Sequence, residues 1–563
     1  MKSFLKFLLA ITIVITAFSS CKKKNDTGKM IPANALFVAQ VNMKSLDSKL
    51  PWNEVQQTNW YKNAYSDTSS PEWRKKILEN PSASGIDFDE GLIFFGAKDT
   101  TDYYIAAEGK LKSAKDFEAF NKNFDSTQTV KKEGNINLLV LKDKNIVGWN
   151  DDHFIYVMDP ATTSSQIYEW DGSNGPSYNN TTEDRSAKLS AICKRLFSLK
   201  SSASLAENDH FSNLLKEPGD IHLWQNTEEI IKSAPSMGAL SMLKLDAFTK
   251  DNISTYTVAF DNGKININQK GYVSKELAGL LKKYTGSSVN NDMIKNIPSQ
   301  NVFAVLAFNF KPEGLKELIK LTGADGLINT YAQQMGFNLD DISKATNGNW
   351  LLAFSDFKPG SDSVKQNDDI MDGDDLLKPK IPGFNFIFSV GIGDKASLQK
   401  LINAGTTMGA IAGKNSSVKY AMNDNAFALS NTASFADQYL SGNNNKYHFT
   451  NEFSGHPAGF FLDIHQLLSG ISSMAAKDSN ENIMLNESLK TWKNIIASGG
   501  EIRDNAFTFH AEINFIDQQT NSLKQLSNYL NEMYKINEAR KQETTKRLDS
   551  LLTPPPTDTI KAK

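Results

Sequence analysis

The chain has little cysteine and no excess of charge of either sign. Only 2 of its 563 residues are cysteines, Cys21 and Cys193, and 61 basic residues face 64 acidic ones, so that the net charge is −3. Proteins that bind phosphate backbones usually concentrate a basic excess on one face. The composition therefore argues against nucleic-acid binding. With so few cysteines, stability must come from buried apolar side chains.

Long hydrophobic runs are missing after the first twenty residues, and so are the common catalytic motifs. No later stretch reaches the roughly 20 apolar residues of a transmembrane helix. The patterns HExxH, GxxxxGK[ST], GxSxG and CxxC do not occur. We therefore expect no cofactor and no metal. A noncatalytic protein is favoured, although an enzyme whose groups converge only in space stays open.

Residues 1–20 have the three parts of an export signal. Lys2 and Lys6 are positive, residues 7–18 are apolar, and two serines precede Cys21. The letters FSSC, which end at Cys21, resemble a lipobox, where bacterial signal peptidase cuts before a cysteine that receives a diacylglycerol and an amide-linked acyl chain. The resemblance implies lipidation of Cys21, and two or more acyl chains anchor a protein stably in a membrane. The alternative is an ordinary signal peptide with Cys21 as a bystander.

Residues 21–30 are predicted to form a polar tether behind this anchor. Three lysines follow Cys21 and no core-forming residue appears before Met30. At about 3.3 to 3.6 Å per residue, residues 22–30 reach at most about 30 Å, which holds the body close to the membrane. Lys22 stands where Asp would mark retention at the inner membrane, so the resemblance favours the outer membrane of the cell envelope. The side of that membrane stays open.

The rest of the chain contains what look like two copies of one unit. IPANALFVAQVNMK at Ile31 matches IPSQNVFAVLAFNFK at Ile297, and HFSN at His210 matches HFTN at His448. Order and spacing persist along both segments. We therefore predict a first repeat over residues 31–285 and a second over residues 297–531.

Each repeat is predicted to be α+β with antiparallel sheets and packed helices. Asn262-Gly263 between alternating runs indicates a two-residue hairpin, and the run from Lys142 to Met158 suggests two more short strands. Residues 114–124 and 275–284 have helical spacing. Hairpins among irregularly placed helices exclude a doubly wound parallel sheet.

Two segments depart from the repeat. Residues 361–380 are acidic and without periodicity, which predicts a mobile loop. Their spacing does not fit an EF-hand, because Ile370 and Pro379 would stand at ligand positions. Residues 532–563 are predicted to form a charged helix and a Pro-rich tail, either as a solvated arm or as a partner-binding helix.

Some polar side chains suggest chemistry. Glu207, His210, Asp220 and His222 are the residues from which a hydrolase without a sequence motif would be built. Asp463-Ile464-His465 resembles Asp220-Ile221-His222 but is predicted to end a strand where the other begins one. His448 and His456 lack the spacing of metal ligands.

Three further features have mainly structural interpretations. Cys193 lies among apolar residues at helical spacing and is interpreted as a core residue, with a nucleophile as the alternative. Residues 391–396, GIGDKA, suit a strand end and a helix cap by Asp394 better than a dinucleotide fingerprint. The aromatic residues of the stretch 51–65 predict an amphipathic packing helix, with stacking on sugar rings as the alternative; they are Trp52, Trp60, Tyr61 and Tyr65.

The FSSC motif, the Lys-rich tether and the doubled Ile-Pro, strand and Asn-x-Lys unit together resemble the Bacteroidetes lipoproteins grouped as domain of unknown function 4836. This resemblance implies an internally repeated α+β envelope lipoprotein and brings no catalytic residues. Two hypotheses follow. The first is a noncatalytic protein that binds another envelope protein, a glycan or a lipid. The second is an envelope hydrolase.

Overall fold

The computed structural model describes residues 27–66, 72–99, 102–123, 129–141, 144–160, 185–233, 244, 246–358, 383–407, 418–472 and 480–552. Several predictions fall on other residues. The signal peptide, Cys21, most of the tether, the acidic segment 361–380 and the Pro-rich tail lie outside the described residues. Only residues 27–30 of the tether are within them.

Antiparallel strands of the described chain form one sheet of eighteen members. They are β1 (Phe37–Val41), β2 (Leu92–Asp99), β3 (Asp102–Lys110), β4 (Lys131–Glu133), β5 (Ile136–Val140), β6 (Ile146–Trp149), β7 (His153–Met158), β8 (Ile221–Asn226), β9 (Ile253–Asp261), β10 (Lys264–Tyr272), β11 (Val302–Asn309), β12 (Thr346–Lys358), β13 (Gly383–Ile392), β14 (Lys419–Met422), β15 (Ala426–Ser430), β16 (Ala458–Asp463), β17 (Trp492–Arg503) and β18 (Ala506–Phe515).

The strand order is the same in both halves of the sheet, counted from its centre. Outward from β10 come β9, β8, β1, β2, β3 and β7, and outward from β18 come β17, β16, β11, β12, β13 and β15. The halves join where β10 pairs with β18. The chain therefore builds one continuous sheet. The boundaries of the two sequence repeats stay a prediction.

Helices connect and cover the strands. They are α1 (Met43–Lys49), α2 (Trp52–Val55), α3 (Asn59–Ser66), α4 (Glu72–Glu79), α5 (Ala114–Lys122), α6 (Ser186–Phe197), α7 (Asp209–Leu214), α8 (Thr227–Ser233), α9 (Asp246–Thr249), α10 (Lys275–Tyr284), α11 (Asn291–Lys295), α12 (Pro312–Leu321), α13 (Asp325–Gln334), α14 (Leu339–Ala345), α15 (Lys395–Thr407), α16 (Ala433–Ser441), α17 (Thr450–Phe453), α18 (Ile464–Ser472), α19 (Asn480–Thr491) and α20 (Ser522–Leu552), with short 3₁₀ turns at Pro81–Ser84, Phe88–Glu90, Ser201–Ala203 and Leu205–Glu207.

The predicted α+β class is confirmed, together with most of the local elements named for it. The hairpin β9/β10, the strands β6 and β7, and the helices α5 and α10 occur where the sequence placed them. The hairpin turn differs in one detail. Asn262 keeps a negative φ and only Gly263 is positive, at 70°, so the turn is not of type I′.

The aromatic stretch near residue 60 was predicted as one helix, and that prediction is wrong. The chain forms α2 and α3, separated by a turn. The Thr58 hydroxyl accepts a hydrogen bond from the Tyr61 amide (3.3 Å), which starts the second helix as an N-cap does.

Two large apolar cores lie in the two halves of the sheet. In the first, Phe95, Trp224 and helix α6 pack together around Cys193, which is fully buried. In the second, Phe449, Phe453 and Phe461 pack against strands β11 to β15. Burial of aromatic side chains of this size is the main source of stability for such cores.

One cross-strand row of side chains runs through both halves and positions the candidate site. Directly paired residues share a face of a sheet. From β10 outward the row contains Asn268, Thr257, His222, Gln40, Ile93 and Glu108. From β18 outward it contains His510, Ser498, Gly459, Ala307, Leu351 and Ser389. Asn268 and His510 pair with each other at the centre. Position by position, Glu108 in the first half therefore corresponds to Ser389 in the second.

Candidate ligand-binding cavity

A cavity of about 220 Å³ lies beside the first strands of the first half. Its walls come from β1, β2 and β3, from the turn between β6 and β7, from the end of α6, and from residues 27, 29 and 30, where the chain enters the body. Drug-sized ligands usually occupy about 300 to 1,000 Å³. The cavity therefore fits a small molecule or one end of a larger one.

Glu108 on β3 is the chemically distinctive residue of this cavity. It is 5% exposed, and its Oε2 atom accepts no hydrogen bond from the described residues. Burial disfavours the charged form of the carboxyl and raises its pKa from 4.5 to about 8. A buried acid without a cation beside it is costly to the fold.

The other charged groups of the cavity lie nearer to solvent. Lys110 donates to Glu90 at 2.6 Å, and both side chains are about half exposed. This hydrogen bond holds the pKa of Glu90 below its usual value. His153 pairs with Lys110 across β3 and β7 and also lines the cavity. The buried carboxyl is therefore not neutralised by the Lys110 ammonium, which already has a partner.

Gln40 links the cavity to His222. The amide oxygen of Gln40 lies 2.7 Å from Nδ1 of His222, and Nε2 of the ring lies 2.8 Å from the Glu217 carbonyl. His222 is 5% exposed. The imidazole is thus held on both sides and fixes the Gln40 amide that forms part of the wall.

Asp220 has a structural environment. Its buried carboxylate accepts hydrogen bonds from the Ser45 hydroxyl (2.6 Å), Lys49 (2.5 Å) and the Phe260 amide (2.6 Å). These contacts fix α1 against β8 and β9. With so many donors already bound, Asp220 has little capacity left to act as a base.

The remaining residues of the hydrolase hypothesis do not line the cavity either. His210 stacks on Tyr272 with ring centroids 3.8 Å apart, and burial lowers its pKa. Glu207 ends a 3₁₀ turn. The structure therefore does not bring Glu207, His210, Asp220 and His222 together in this cavity.

The second Asp/His pair occupies a different position, as the sequence predicts. Asp463 ends β16, whereas Asp220 directly precedes β8. The carboxylate of Asp463 accepts a hydrogen bond from the Gln466 amide at 2.8 Å and so caps α18, which contains His465.

Histidines of the second half have local partners. His448 packs edge-on against Phe461, with ring centroids 5.1 Å apart, and Nδ1 of His456 binds Glu501. Among the described residues there is no group of three or more His, Cys, Asp or Glu side chains that could hold a metal ion. None of the helices described is long and apolar enough to cross a membrane.

Cys193 and Asp394 have the structural roles that the sequence indicates. Cys193 is fully buried, and burial raises the pKa of its thiol to about 12. Asp394, two residues after β13 ends, caps α15 by accepting a hydrogen bond from the Ser397 amide at 2.8 Å. Neither residue has the environment of a nucleophile or a phosphate site.

The aromatic stretch near residue 60 contributes to packing. The Trp52 indole and the Tyr61 hydroxyl both donate to the Leu78 carbonyl, at 3.2 and 2.6 Å. Tyr61 is buried, and the half-exposed Tyr65 stacks on it. Two side chains on one carbonyl fix α2 and α3 against α4.

Glu108 was not identified from the sequence, although a signal existed. The strand β3 buries Tyr104, Ala106 and Glu108 at alternating positions, so one charged residue follows two apolar ones on the buried face. The corresponding position of the second half holds Ser389, which is also fully buried, with the Tyr439 hydroxyl beside it. The same place in the sheet can therefore be built without a carboxyl.

Comparisons with known proteins place the chain in a family. No curated protein matches it. A solved structure titled "Structure of crystal form IV of TP0453" aligns at 7% identity over 47% of this chain and 89% of that chain, with a TM-score of 0.25, which is too low to support an argument. The model of the family described as "Domain of unknown function (DUF4836)" matches residues 28–324. The family suggested by the sequence is therefore confirmed, and the chain belongs to DUF4836.

Proposed function

We propose that the chain is a noncatalytic lipoprotein of the bacterial cell envelope, anchored through acyl chains on Cys21, and that its body binds a small ligand in the Glu108 cavity. The cavity supports binding because it contains a buried carboxylate oxygen that has no hydrogen-bond partner among the residues that the structure describes. It does not support hydrolysis, because the residues of that hypothesis lie elsewhere.

The single observation that carries the proposal is the uncompensated burial of Glu108. Burial that shifts an ionisable group away from its ordinary pKa reduces the stability of the fold. Such groups concentrate at functional sites. A ligand that supplies the missing partner would remove this penalty when it binds.

The binding test compares a variant that narrows the cavity with a matched surface variant. Met30→Trp places a larger side chain at the cavity, and Met335→Trp makes the same change at an exposed site. Each protein is purified from its own envelope, and retained small molecules are identified by native mass spectrometry. We expect wild type and Met335→Trp to retain a molecule that Met30→Trp loses. Equal content in all three would refute ligand binding in this cavity.

The anchor is tested separately by fractionation. The Cys21→Ala variant is expected to leave the membrane fraction and to lose incorporation of labelled palmitate. Cys193→Ala controls for loss of a cysteine and should remain membrane-bound. A Cys21→Ala protein that still sediments with membranes would contradict the lipid anchor.

A second candidate, docking of another envelope protein, is favoured by an exposed apolar area on the opposite face of the sheet. Leu306 pairs with Phe460 across β11 and β16, and both are more than a third exposed. Phe308, also more than a third exposed, stacks on Trp350. Uncovered apolar patches of this kind often mark protein interfaces.

Crosslinking followed by pull-down tests this second candidate. Leu306→Ser with Phe460→Ser should reduce recovery of a crosslinked partner, whereas Leu327→Ser, at a site 60% exposed on α13, should not. Unchanged recovery from the double variant would argue against docking on this face.

A further inference from the structure

The Glu108 cavity differs from the equivalent place in the second half in a way that indicates the chemistry of its ligand. The row through the sheet puts Glu108 and Ser389 at corresponding positions, between Ile93 and Ile155 in one case and between Leu351 and Ala428 in the other. Both sites are buried between apolar neighbours. Only the first half has a carboxyl there, and its side chain lines an open cavity.

The carboxyl has hydrogen-bonding capacity that the described protein does not use. Oε2 of Glu108 is buried and accepts no hydrogen bond from any residue in the described part of the chain. The cationic side chains of the cavity lie nearer to solvent: Lys110 is half exposed and bound to Glu90, and Lys29 is exposed. The missing partner is therefore a donor, and a donor with positive charge would gain most, since charge-assisted hydrogen bonds are about twice as strong as neutral ones.

We propose that the cavity binds the protonated amino group of a small organic amine, with the ammonium donating to the free oxygen of Glu108. This inference rests on the proposed binding function and names its ligand class. A metal ion fits less well, because no cluster of three ligating side chains occurs among the described residues. A cavity of about 220 Å³ has ample room for a small amine such as ethanolamine, since a cavity of about 150 Å³ holds benzene.

The amine has two possible sources, a free molecule or a lipid headgroup. The lipid source is considered because residues 27, 29 and 30 line the cavity. Those residues form the end of the predicted tether. If Cys21 is lipidated, the cavity therefore lies within reach of the membrane. Both sources present the same ammonium. Phosphatidylglycerol vesicles that either contain or lack phosphatidylethanolamine distinguish the two sources. Stronger binding to the vesicles that contain phosphatidylethanolamine identifies the headgroup as a ligand. Binding of ethanolamine without such an increase identifies the free amine.

Binding should also depend on pH. The ammonium pairs with the ionised carboxyl, whose pKa burial raises to about 8, so ligand binding must release a proton at neutral pH. Glu90, Lys110, His153 and Lys29 also line the cavity. Glu90 and Lys110 form an ion pair with each other. Lys29 is exposed to solvent. Affinity should therefore rise from pH 6 to pH 8.5.

Titration of the detergent-solubilised full-length lipoprotein, followed by NMR, tests the inference. Ethanolamine is compared with ethylene glycol, its neutral counterpart. We expect ethanolamine to bind at least tenfold more tightly, Glu108→Gln to weaken its binding at least tenfold, and the matched variant Glu118→Gln, on α5 and outside the cavity, to stay within twofold of wild type. Glu108→Gln should fold, because it removes a buried ionisable group, and its thermal unfolding verifies this.

Two results would overturn the inference. Equal affinity for ethylene glycol and ethanolamine would exclude an ammonium site, as would unchanged ethanolamine binding by Glu108→Gln. The inference can fail while the proposed binding function stands. If wild type retains a molecule without an amino group, and Met30→Trp loses that molecule, the cavity binds a ligand that is not an amine.

Discussion

Glu108 on β3 and Ser389 on β13 occupy corresponding positions in the two halves of the sheet, and only Glu108 can carry a charge. Both are buried, at 5% and 0% exposure. The Ser389 site has the Tyr439 hydroxyl beside it, whereas the Glu108 site opens into a cavity. Both halves therefore bury a polar side chain at this position, but only the first buries an ionisable one, which costs stability when it is charged.

The stability of the protein should fall as pH rises, because of Glu108. Its folded pKa of about 8 lies above the ordinary 4.5, so between these values the unfolded chain binds fewer protons than the folded one, and stability decreases with pH. At about 1.4 kcal/mol per pKa unit, the cost approaches about 5 kcal/mol above pH 8. Glu108→Gln should remove most of it.

Urea unfolding at pH 5 and pH 9 measures this effect. Glu108→Gln is expected to add less than about 1 kcal/mol at pH 5 and several kcal/mol at pH 9. Glu118→Gln removes the exposed ion pair with Lys122 and serves as the control, with a change of about 0.5 kcal/mol at either pH. A Glu108→Gln gain that does not depend on pH would contradict the raised pKa.

Asp220→Ala is expected to be among the most destabilising substitutions in the first half of the sheet. It leaves Lys49 without its carboxylate and the buried Phe260 amide without an acceptor, which should cost about 3 kcal/mol or more. Asp424→Ala breaks an ion pair with Lys395 at a site 93% exposed and should cost less than about 1 kcal/mol. Denaturant unfolding compares them; similar losses would show that the Asp220 contacts contribute little.

Cys193 should resist thiol reagents in the native protein. It is fully buried and its pKa is raised to about 12, so almost no thiolate forms at neutral pH. In a Cys21→Ala background, where Cys193 is the remaining cysteine, labelling with a disulfide reagent should occur only at the rate of unfolding and become rapid in urea. Fast labelling without denaturant would exclude the core role.

The C-terminal half of α20 should be dispensable for folding. Before residue 532, α20 is tied to the body by the Tyr529 ring against Trp492 and by Lys524 to Glu54. Deleting residues 535–563 should therefore shift the melting temperature by only a few degrees. Tyr529→Ala in the intact chain should shift it more, and the reverse order would show that the distal helix stabilises the fold.

Local signals in the sequence predicted local structure well. Asn262-Gly263 gave the hairpin, and Asp394 was expected to cap a helix, because each depends on residues a few positions apart. The break between α2 and α3 was missed although Thr58 is a good N-cap, since the apolar spacing continues across it. Its geometry also depends on a distant residue: the Asn59 amide donates to Asn531 at 2.6 Å.

The candidate site could not be derived in the same way. Glu108 is buried because β3 pairs with both β2 and β7, and the cavity depends on Phe197 and Met30, which are far apart in sequence. The pairing of β10 with β18 is similarly long-range. Charge and hydropathy patterns in the sequence reveal neither the cavity nor this strand pairing. The histidines and Asp220, by contrast, stood out in the sequence because of their residue types, yet their contacts are mainly structural.

The most direct measurement is the pKa of Glu108 itself. Carbon-13 NMR of carboxyl-labelled glutamate in the full-length protein, assigned by loss of one signal in Glu108→Gln, follows its titration with and without ethanolamine. We expect a midpoint near 8 in the free protein and a clear decrease with the amine bound. A midpoint near 4.5 in the free protein, or a titration that ethanolamine leaves unchanged, would contradict the claim that Glu108 is a buried carboxyl that binds a cationic ligand.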